Sequence, residues 1–194
     1  NLPKLMVGEE VTDQFPKNVV KLGKELLTVK KCSDPRGYFD DVSFELFAGE
    51  VVSFAGLLGS GAEPFVRSLV GLMEKPTGEI TVSGKSYSPS QPHAAIQSGI
   101  FYLPADRKSE GLVLSMSVAD NSTLANLKRY ITGGLFSREK QLFDCEKYKK
   151  SLGIKTPSLY TLSRFLSGGN QQKTMIARCL NADAKIIIFN EPTR

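Results

Sequence analysis

Leu166-Ser167-Gly168-Gly169-Asn170-Gln171-Gln172-Lys173 is the stretch on which the reading of this chain turns. A serine followed by two glycines marks a helix start. The segment that follows, Asn170–Leu180, carries Met175, Ile176, Cys179 and Leu180 on one face. Backbone N–H groups at such a start, with a hydroxyl beside them, can surround a phosphate oxygen. Ser-Gly-Gly alone would also be satisfied by an N-capped helix after a flexible turn, so the neighbours decide.

Downstream, Lys185–Phe189 holds four apolar residues in a row, Ile186-Ile187-Ile188-Phe189, the pattern of a strand covered on both faces. It ends in Asn190-Glu191-Pro192-Thr193-Arg194. Upstream, Glu50–Ala55 reads as a strand and opens into Gly56-Leu57-Leu58-Gly59-Ser60-Gly61-Ala62-Glu63, followed by a helix through about Val70. Gly56 and Gly61 have the spacing of the phosphate loop G-x-x-x-x-G-K-[ST], and Gly59 and Ser60 lie between them. Ala62 stands where that loop has its lysine, and Glu63 where it has its Mg²⁺-binding hydroxyl. The first change removes a charged hydrogen bond, about 1.5–3 kcal/mol. The second sets an anion beside the phosphates.

Leu26–Lys31, Asp41–Phe47, Gly78–Ser83 and Ile100–Leu103 read as further strands, and Pro92–Gln97 as a short helix. From Asp106 to Lys173 strand patterns stop. Val118–Leu127 and Arg138–Leu152 read as helices. The order is β-rich, then strand–loop–helix, then a helical insertion, then a buried strand, which predicts an α/β core with an inserted helical subdomain. Residues 1–25 are polar and broken by Pro3, Pro16 and Gly23, as in a linker or tail.

Composition fits. The 194 residues are 41% hydrophobic and 23% charged, enough for one domain with a sizeable core. A net charge of +5 without a block of like charges does not point to nucleic acid. No apolar run reaches the ~18 residues that span a bilayer, and the start has none of the regions of a signal peptide. Cys32, Cys145 and Cys179 are spaced as reduced thiols rather than metal ligands, and His93 reads as a surface or helix-start residue.

The eight residues Leu166–Lys173 resemble the signature of ATP-binding-cassette (ABC) ATPases, in the form common in bacterial sugar importers. Ile186–Arg194 resembles the Walker B segment of that family, with Asn190 in place of its aspartate. Tyr102-Leu103-Pro104-Ala105-Asp106-Arg107-Lys108, with Gly111-Leu112, resembles the P-E-D-R-K segment of second cassettes in sugar-import ATPases of the ribose, galactose and xylose type. Met6-Val7-Gly8-Glu9 with Phe15-Pro16 resembles the junction between two cassettes, and Leu135–Arg138 and Ile154–Ser158 the helical subdomain. The resemblance covers nearly the whole chain.

The resemblance implies a P-loop NTPase-type core with an N-terminal antiparallel β-subdomain and an inserted α-helical subdomain over about 106–170, incomplete at the C-terminus. Residues 1–25 would be linker, and 26–194 a partial nucleotide-binding domain. It implies roles for residues as well. Gly56, Gly59, Ser60, Gly61, Ala62 and Glu63 are the phosphate loop in degenerate form. Ala105 occupies the Q-loop position, and Asn190 is a vestigial Mg²⁺ position. Glu191 is the catalytic base. Leu166, Ser167, Gly168, Gly169, Asn170 and Gln171 complete the ATP site of a partner cassette. Tyr38 or Phe39 falls near the family's adenine-stacking segment, although a core or loop aromatic fits them better. The implied cofactors are ATP and Mg²⁺, held weakly or not at all by the chain's own site. The implied partners are another cassette, membrane permease subunits and, indirectly, a solute-binding protein, at the cytoplasmic face of the membrane. A scaffold that docks to a permease without hydrolysis, a nucleoside-importer cassette, and a non-transport ATPase of translation or repair stand as alternatives.

Overall fold

The structure, a computed structural model, describes residues 20–191. Strands β1 (Glu25–Cys32), β2 (Val42–Phe47), β3 (Glu79–Val82) and β4 (Lys85–Ser86) form an antiparallel sheet in the order β2-β1-β3-β4. β1 lies inside this sheet, which explains its weak alternation: Leu26, Leu27, Thr28 and Val29 are all buried. Edge strand β2 alternates more clearly. The sheet begins before the expected linker boundary, because Gly23 N–H donates to Ala48 C=O (2.8 Å) and Ala48 N–H to Lys24 C=O (2.9 Å). The junction-like residues 6–9 and 15–16, and 192–194, lie outside the described residues.

A second sheet pairs β5 (Ile100–Leu103) and β8 (Ile186–Phe189) in parallel, from Ile100 opposite Ile186 to Leu103 opposite Phe189. Helix α1 (Ala62–Ser68) and β5–β8 close on the first sheet over one core, built on Leu27, Val29, Phe65, Leu69, Ile100 and Ile186. Ile187 on β8 packs instead into a second cluster with Phe101, Leu103 and Met175. β8 therefore meets apolar groups on both faces, as its sequence predicts, though its last residue Phe189 stays 45% exposed. Phe39 is core, stacked edge-on against Phe65 at 5.3 Å, whereas Tyr38 is exposed.

The expected strand Glu50–Ala55 does not form. Val51 is 89% exposed, and among the described residues no backbone hydrogen bond pairs residues 51–56 with a neighbouring segment. Valine and phenylalanine favour a strand, but a strand needs a neighbouring backbone to take its N–H and C=O groups. Phe54, 42% exposed, lies on the rim of the core, edge-on to Phe44 (5.1 Å) and Phe65 (5.3 Å).

The insertion is helical with a core of its own, Val118, Ala119, Cys145, Leu159 and Leu166. Helix α3 (Val118–Thr123) passes into a 3₁₀ turn, Leu124–Tyr130, kinked at Asn126, so the expected helix to Leu127 is interrupted. Asn126 turns its amide to Asn181 C=O (3.3 Å), a side-chain bond to backbone that competes with helix continuation. A two-stranded hairpin, β6 (Ile131–Thr132) and β7 (Leu135–Phe136), follows where no strand was expected. Gly133 and Gly134, both at positive φ, supply its turn. Helix α4 (Arg138–Leu152) matches its sequence reading, ending at Gly153 with φ 60°. Helix α5 (Gly168–Asn181) starts earlier than Asn170. The short helix Pro92–Gln97, α2 in the numbering used here, forms as expected, with exposed His93 bonded to Gln97. Cys32, Cys145 and Cys179 are free and buried, and burial pushes the Cys145 and Cys179 thiols up to about 12. Among the described residues no helix is long and apolar enough to cross a membrane.

Asn121 and Arg178 tie the insertion to α5. Asn121 is fully buried; its Nδ2 donates to Val113 C=O (2.8 Å) and Ser163 Oγ (2.9 Å), and its Oδ1 accepts from Val113 N–H (3.0 Å). Arg178 donates through Nη2 to the same Oδ1 and through Nε to Asn121 C=O, both 2.7 Å. Losing the Asn121 side chain leaves the Val113 N–H and a guanidinium donor of the deeply placed Arg178 without their acceptor, which costs about 2–3 kcal/mol. Asn121→Ala should therefore lower the unfolding free energy by that amount, read as a lower urea midpoint at unchanged slope, while Glu74→Ala, which removes an exposed partner of Arg36 at 2.9 Å, should lower it by under about 0.5 kcal/mol. Equal effects of the two substitutions would contradict this hub.

Candidate functional site

The β5–β8 pairing sets the site. Asn190, just past β8, donates its backbone N–H to Leu103 C=O at 3.0 Å, so the ends of both strands open on one edge. The segment after β5 turns there. Asp106 Oδ1 accepts from Lys108 N–H (2.9 Å) and Ser109 N–H (3.2 Å), capping the helical turn Arg107–Gly111. A hydrogen bond from the Ser109 side chain first of all, and then these two backbone N–H groups, hold the Asp106 carboxyl below the usual carboxylate range. α1 comes up against the same edge. Its N-cap, Gly61, has φ 87°, and a Cβ there would strike the Tyr38 carbonyl oxygen, so the turn into α1 requires glycine.

A cleft of about 510 Å³ results, lined by Glu63, Arg67, Ala105 and Asn190 with Asp106–Lys108 and Glu110. Three positions singled out in the sequence thus converge: Glu63 of the glycine loop, Ala105 after β5 and Asn190 after β8. Asn190 Nδ2 donates to Tyr102 Oη at 3.0 Å and reaches Glu63 Oε1 at 3.5 Å. Arg67, one helical turn beyond Glu63, stands 3.8 Å from that carboxylate and 3.0 Å from Glu110. Burial works against the Arg67 charge, but Tyr102 and Glu110 outweigh it and raise the guanidinium above its ordinary value. Burial likewise raises the Tyr102 phenol, with Asn190 and Arg67 opposing.

Glu191 follows Asn190 but is exposed and is not among the residues lining this cleft. Its φ of 46° is a left-handed conformation, costly for a side chain with a Cβ. Leu57 and Leu58, at the tip of the glycine loop, are 88% and 104% exposed.

The signature-like residues form a second location at the start of α5. Leu166 is buried in the helical core and anchors the turn. Ser167 is the N-cap; its Oγ accepts from Asn170 Nδ2 at 2.9 Å, and Asn170 Oδ1 accepts from Lys155 N–H at 2.8 Å. Gln171 is buried, donating to Ser163 C=O at 3.0 Å and accepting from Arg107 Nε at 3.3 Å. Ser167 and Gly169 are exposed, and a Cβ on Gly169 would meet nothing within 4 Å. Gly168 between them is half-buried, with the Arg107 guanidinium against it.

Sequence reasoning missed Arg67, Tyr102, Glu110 and Arg178. The Glu63–Arg67 spacing was readable as an i,i+4 ion pair. The other three reach their places only through chain reversal, which no local pattern encodes.

The family model described as ABC transporter matches residues 39–194. The ribose import ATP-binding protein of Clostridium tetani is 40% identical over 195 residues, covering 100% of this chain and 38% of that protein. The ribose import ATP-binding protein of Bacillus subtilis is 39% identical over 191 residues, with 98% and 38% covered. The chain thus spans well under half the length of these relatives. Among solved structures, a nucleotide-free ATP-binding cassette from an ABC transporter superposes with a TM-score of 0.68 at 22% identity, covering 88% of this chain and 70% of that one. A dimeric post-hydrolysis cassette bound to ADP and Pi gives 0.68 at 22%, with 87% and 75% covered. The fold is therefore the P-loop ATPase cassette, and on the match over residues 39–194 the chain belongs to the ABC transporter family.

Proposed function

We propose that this chain is the second ATP-binding cassette of a bacterial sugar importer of the ribose/galactose type, with a degenerate nucleotide site of its own. Its signature completes the ATP site of a partner cassette. The observation that carries this reading is the contrast between the two locations. The glycine-loop cleft has no lysine at Ala62, and Glu63 there is approached by Asn190 and Arg67. The start of α5 keeps Ser167 and Gly169 exposed, with Gly168 half-buried between them. The sugar-import names of the relatives supply the solute class.

ATP and Mg²⁺ fit the cleft poorly as it stands. Glu63 at the first turn of α1 places a negative charge where a β- or γ-phosphate oxygen would approach the helix N-terminus. Asn190 offers Mg²⁺ a neutral amide oxygen where a carboxylate is the better hard ligand, and its NH₂ is committed to Tyr102. At α5, by contrast, the helix start at exposed Ser167 and Gly169 carries backbone N–H donors that can stabilise charge on a γ-phosphate brought across a dimer interface. Glu191 is the remaining candidate base of the chain's own site. The insertion, about 106–170, is the surface for permease subunits, at the cytoplasmic face of the membrane. A solute-binding protein acts with the permease on the far side.

Calorimetric titration of ATP–Mg²⁺ into the chain should give a dissociation constant in the high micromolar to millimolar range. The variant Ala62→Lys/Glu63→Ser/Asn190→Asp should bind about 10–100-fold more tightly, as expected for a restored charged hydrogen bond. Micromolar or tighter binding by the unaltered chain contradicts a degenerate site, and no gain in the triple variant contradicts a phosphate loop at 56–63.

The division of labour has its own test in the intact transporter. Ser167→Arg fills the opening at the start of α5 and should abolish most solute-stimulated ATP hydrolysis. Ala62→Gly or Glu63→Gln should change it by less than about twofold, under 0.5 kcal/mol in the barrier. Equal losses from both sets would show that the chain's own loop still matters.

A further inference from the structure

The segment after β5 touches both locations, and its attachment to α5 is made by arginines. At its far end, Arg178 Nη1 donates to Gly111 C=O at 2.7 Å while its other nitrogens hold Asn121. No carboxylate faces Arg178 in these bonds. Burial lowers its pKa, and carbonyl and amide oxygens carry the charge. At its near end, Arg107 Nε donates to Gln171 Oε1 at 3.3 Å. Its guanidinium lies so close to the first residue of α5 that a Cβ on Gly168 would come within 2.7 Å of Nη2. Between these ends, Leu112 N–H closes on Arg107 C=O at 2.8 Å, and Asp106 caps the turn. Residues 106–112 are thus a braced block, fastened to α5 at its first turn and at Arg178. The same block is fastened to α1 by Glu110–Arg67 at 3.0 Å.

We propose that Arg107 is a positioning residue for the signature: through Gln171 and its contact with Gly168 it sets the direction of the first turn of α5. This rests on the proposed role of that turn toward a partner's ATP. Arg107 also lines the cleft with Glu63 and Asn190, so one side chain faces both locations. Gln171 is suited to the task because it is buried and its NH₂ is already fixed on Ser163 C=O, leaving Oε1 for the guanidinium. The contact at Gly168 gives that glycine a second reason to be there: any side chain would push the guanidinium away from the helix start. A positioning role of this kind acts on turnover more than on nucleotide affinity, because the ATP concerned is held mainly by the partner's own loop.

The test is steady-state ATP hydrolysis by the intact importer ATPase reconstituted with its permease. Arg107→Gln should lower kcat about tenfold to a hundredfold, the effect of a small misplacement of an oriented group, with KM for ATP changed less than twofold. Arg107→Lys keeps the charge but loses the planar two-point contact, and should recover only part of kcat. Gln171→Ala should mimic Arg107→Gln, and the double variant should be no worse than either single one, as for two residues acting as one unit. Thermal melting identifies a variant that folds poorly, and in that case the comparison of Arg107→Gln with Arg107→Lys, which leaves buried Gln171 in place, carries the test. A kcat within twofold of the parent for Arg107→Gln, or multiplicative losses in the double variant, would overturn the proposal. Ser167→Arg in the same assay separates the two levels. If it leaves hydrolysis intact, the signature reading itself fails; if it abolishes hydrolysis while Arg107→Gln does not affect it, only the positioning role fails.

Discussion

The parallel pairing of β5 with β8 is the constraint on which the other features depend. It joins residues 100–103 to 186–189 with the whole helical insertion between them. Because the strands run parallel, both leave the sheet at the same edge. The segment holding Ala105–Glu110 and the pair Asn190-Glu191 therefore emerge side by side, beside the start of α1. A parallel connection also requires a crossover, and here α5 supplies its last helix, leading straight into β8. The signature-like turn lies at the start of that helix, and Arg107, which lines the cleft, reaches it through Gln171.

Charge is handled differently in the two places. Around the cleft, Glu63, Glu110 and Arg67 form partly exposed ion pairs, each of modest energetic weight because water screens them. Their consequence is chemical rather than energetic: the head of α1 carries a carboxylate, with Arg67 engaged by it and by Glu110. Arg178, by contrast, is deeply placed and is satisfied by carbonyl and amide oxygens. A buried cation with its donors filled is costly to disturb, since removing one partner strands the charge. That makes the Asn121–Arg178–Gly111 junction a firm link between insertion and core, and the cleft a softer one.

The long apolar patterns were legible in the sequence. The β1–β3 region, α4, α5 and the isoleucine strand β8 all stand within a few residues of their expected bounds, because periodicity and caps are local properties. The glycine spacing of residues 56–61 and the Ser-Gly-Gly stretch at 167–169 were visible as patterns of consecutive residues, and the roles proposed for them start from those patterns. Errors fell where local preference met a missing neighbour or a competing side chain. Residues 50–55 have strand-forming side chains but no backbone partner among the described residues. Helix α3 was read too long because Asn126 bonds to Asn181 across the fold. The 131–136 hairpin rests on two glycines in a stretch too short to show alternation.

By itself the sequence determined most of the order of elements, the glycine-rich stretch 56–61 with Ala62 and Glu63 directly after it, and the helix start at Ser167. Each is set by residue type and spacing along the chain. The tertiary structure alone decided what those residues face. It set Glu63 beside Asn190 and Arg67, brought Tyr102 and Glu110 into the same cleft, and laid Arg107 against Gly168. These contacts join positions separated by tens of residues, so they are fixed by strand pairing and core packing rather than by any local pattern. Which groups share a low-dielectric neighbourhood, and hence which charges are paired, is a property of the folded chain alone.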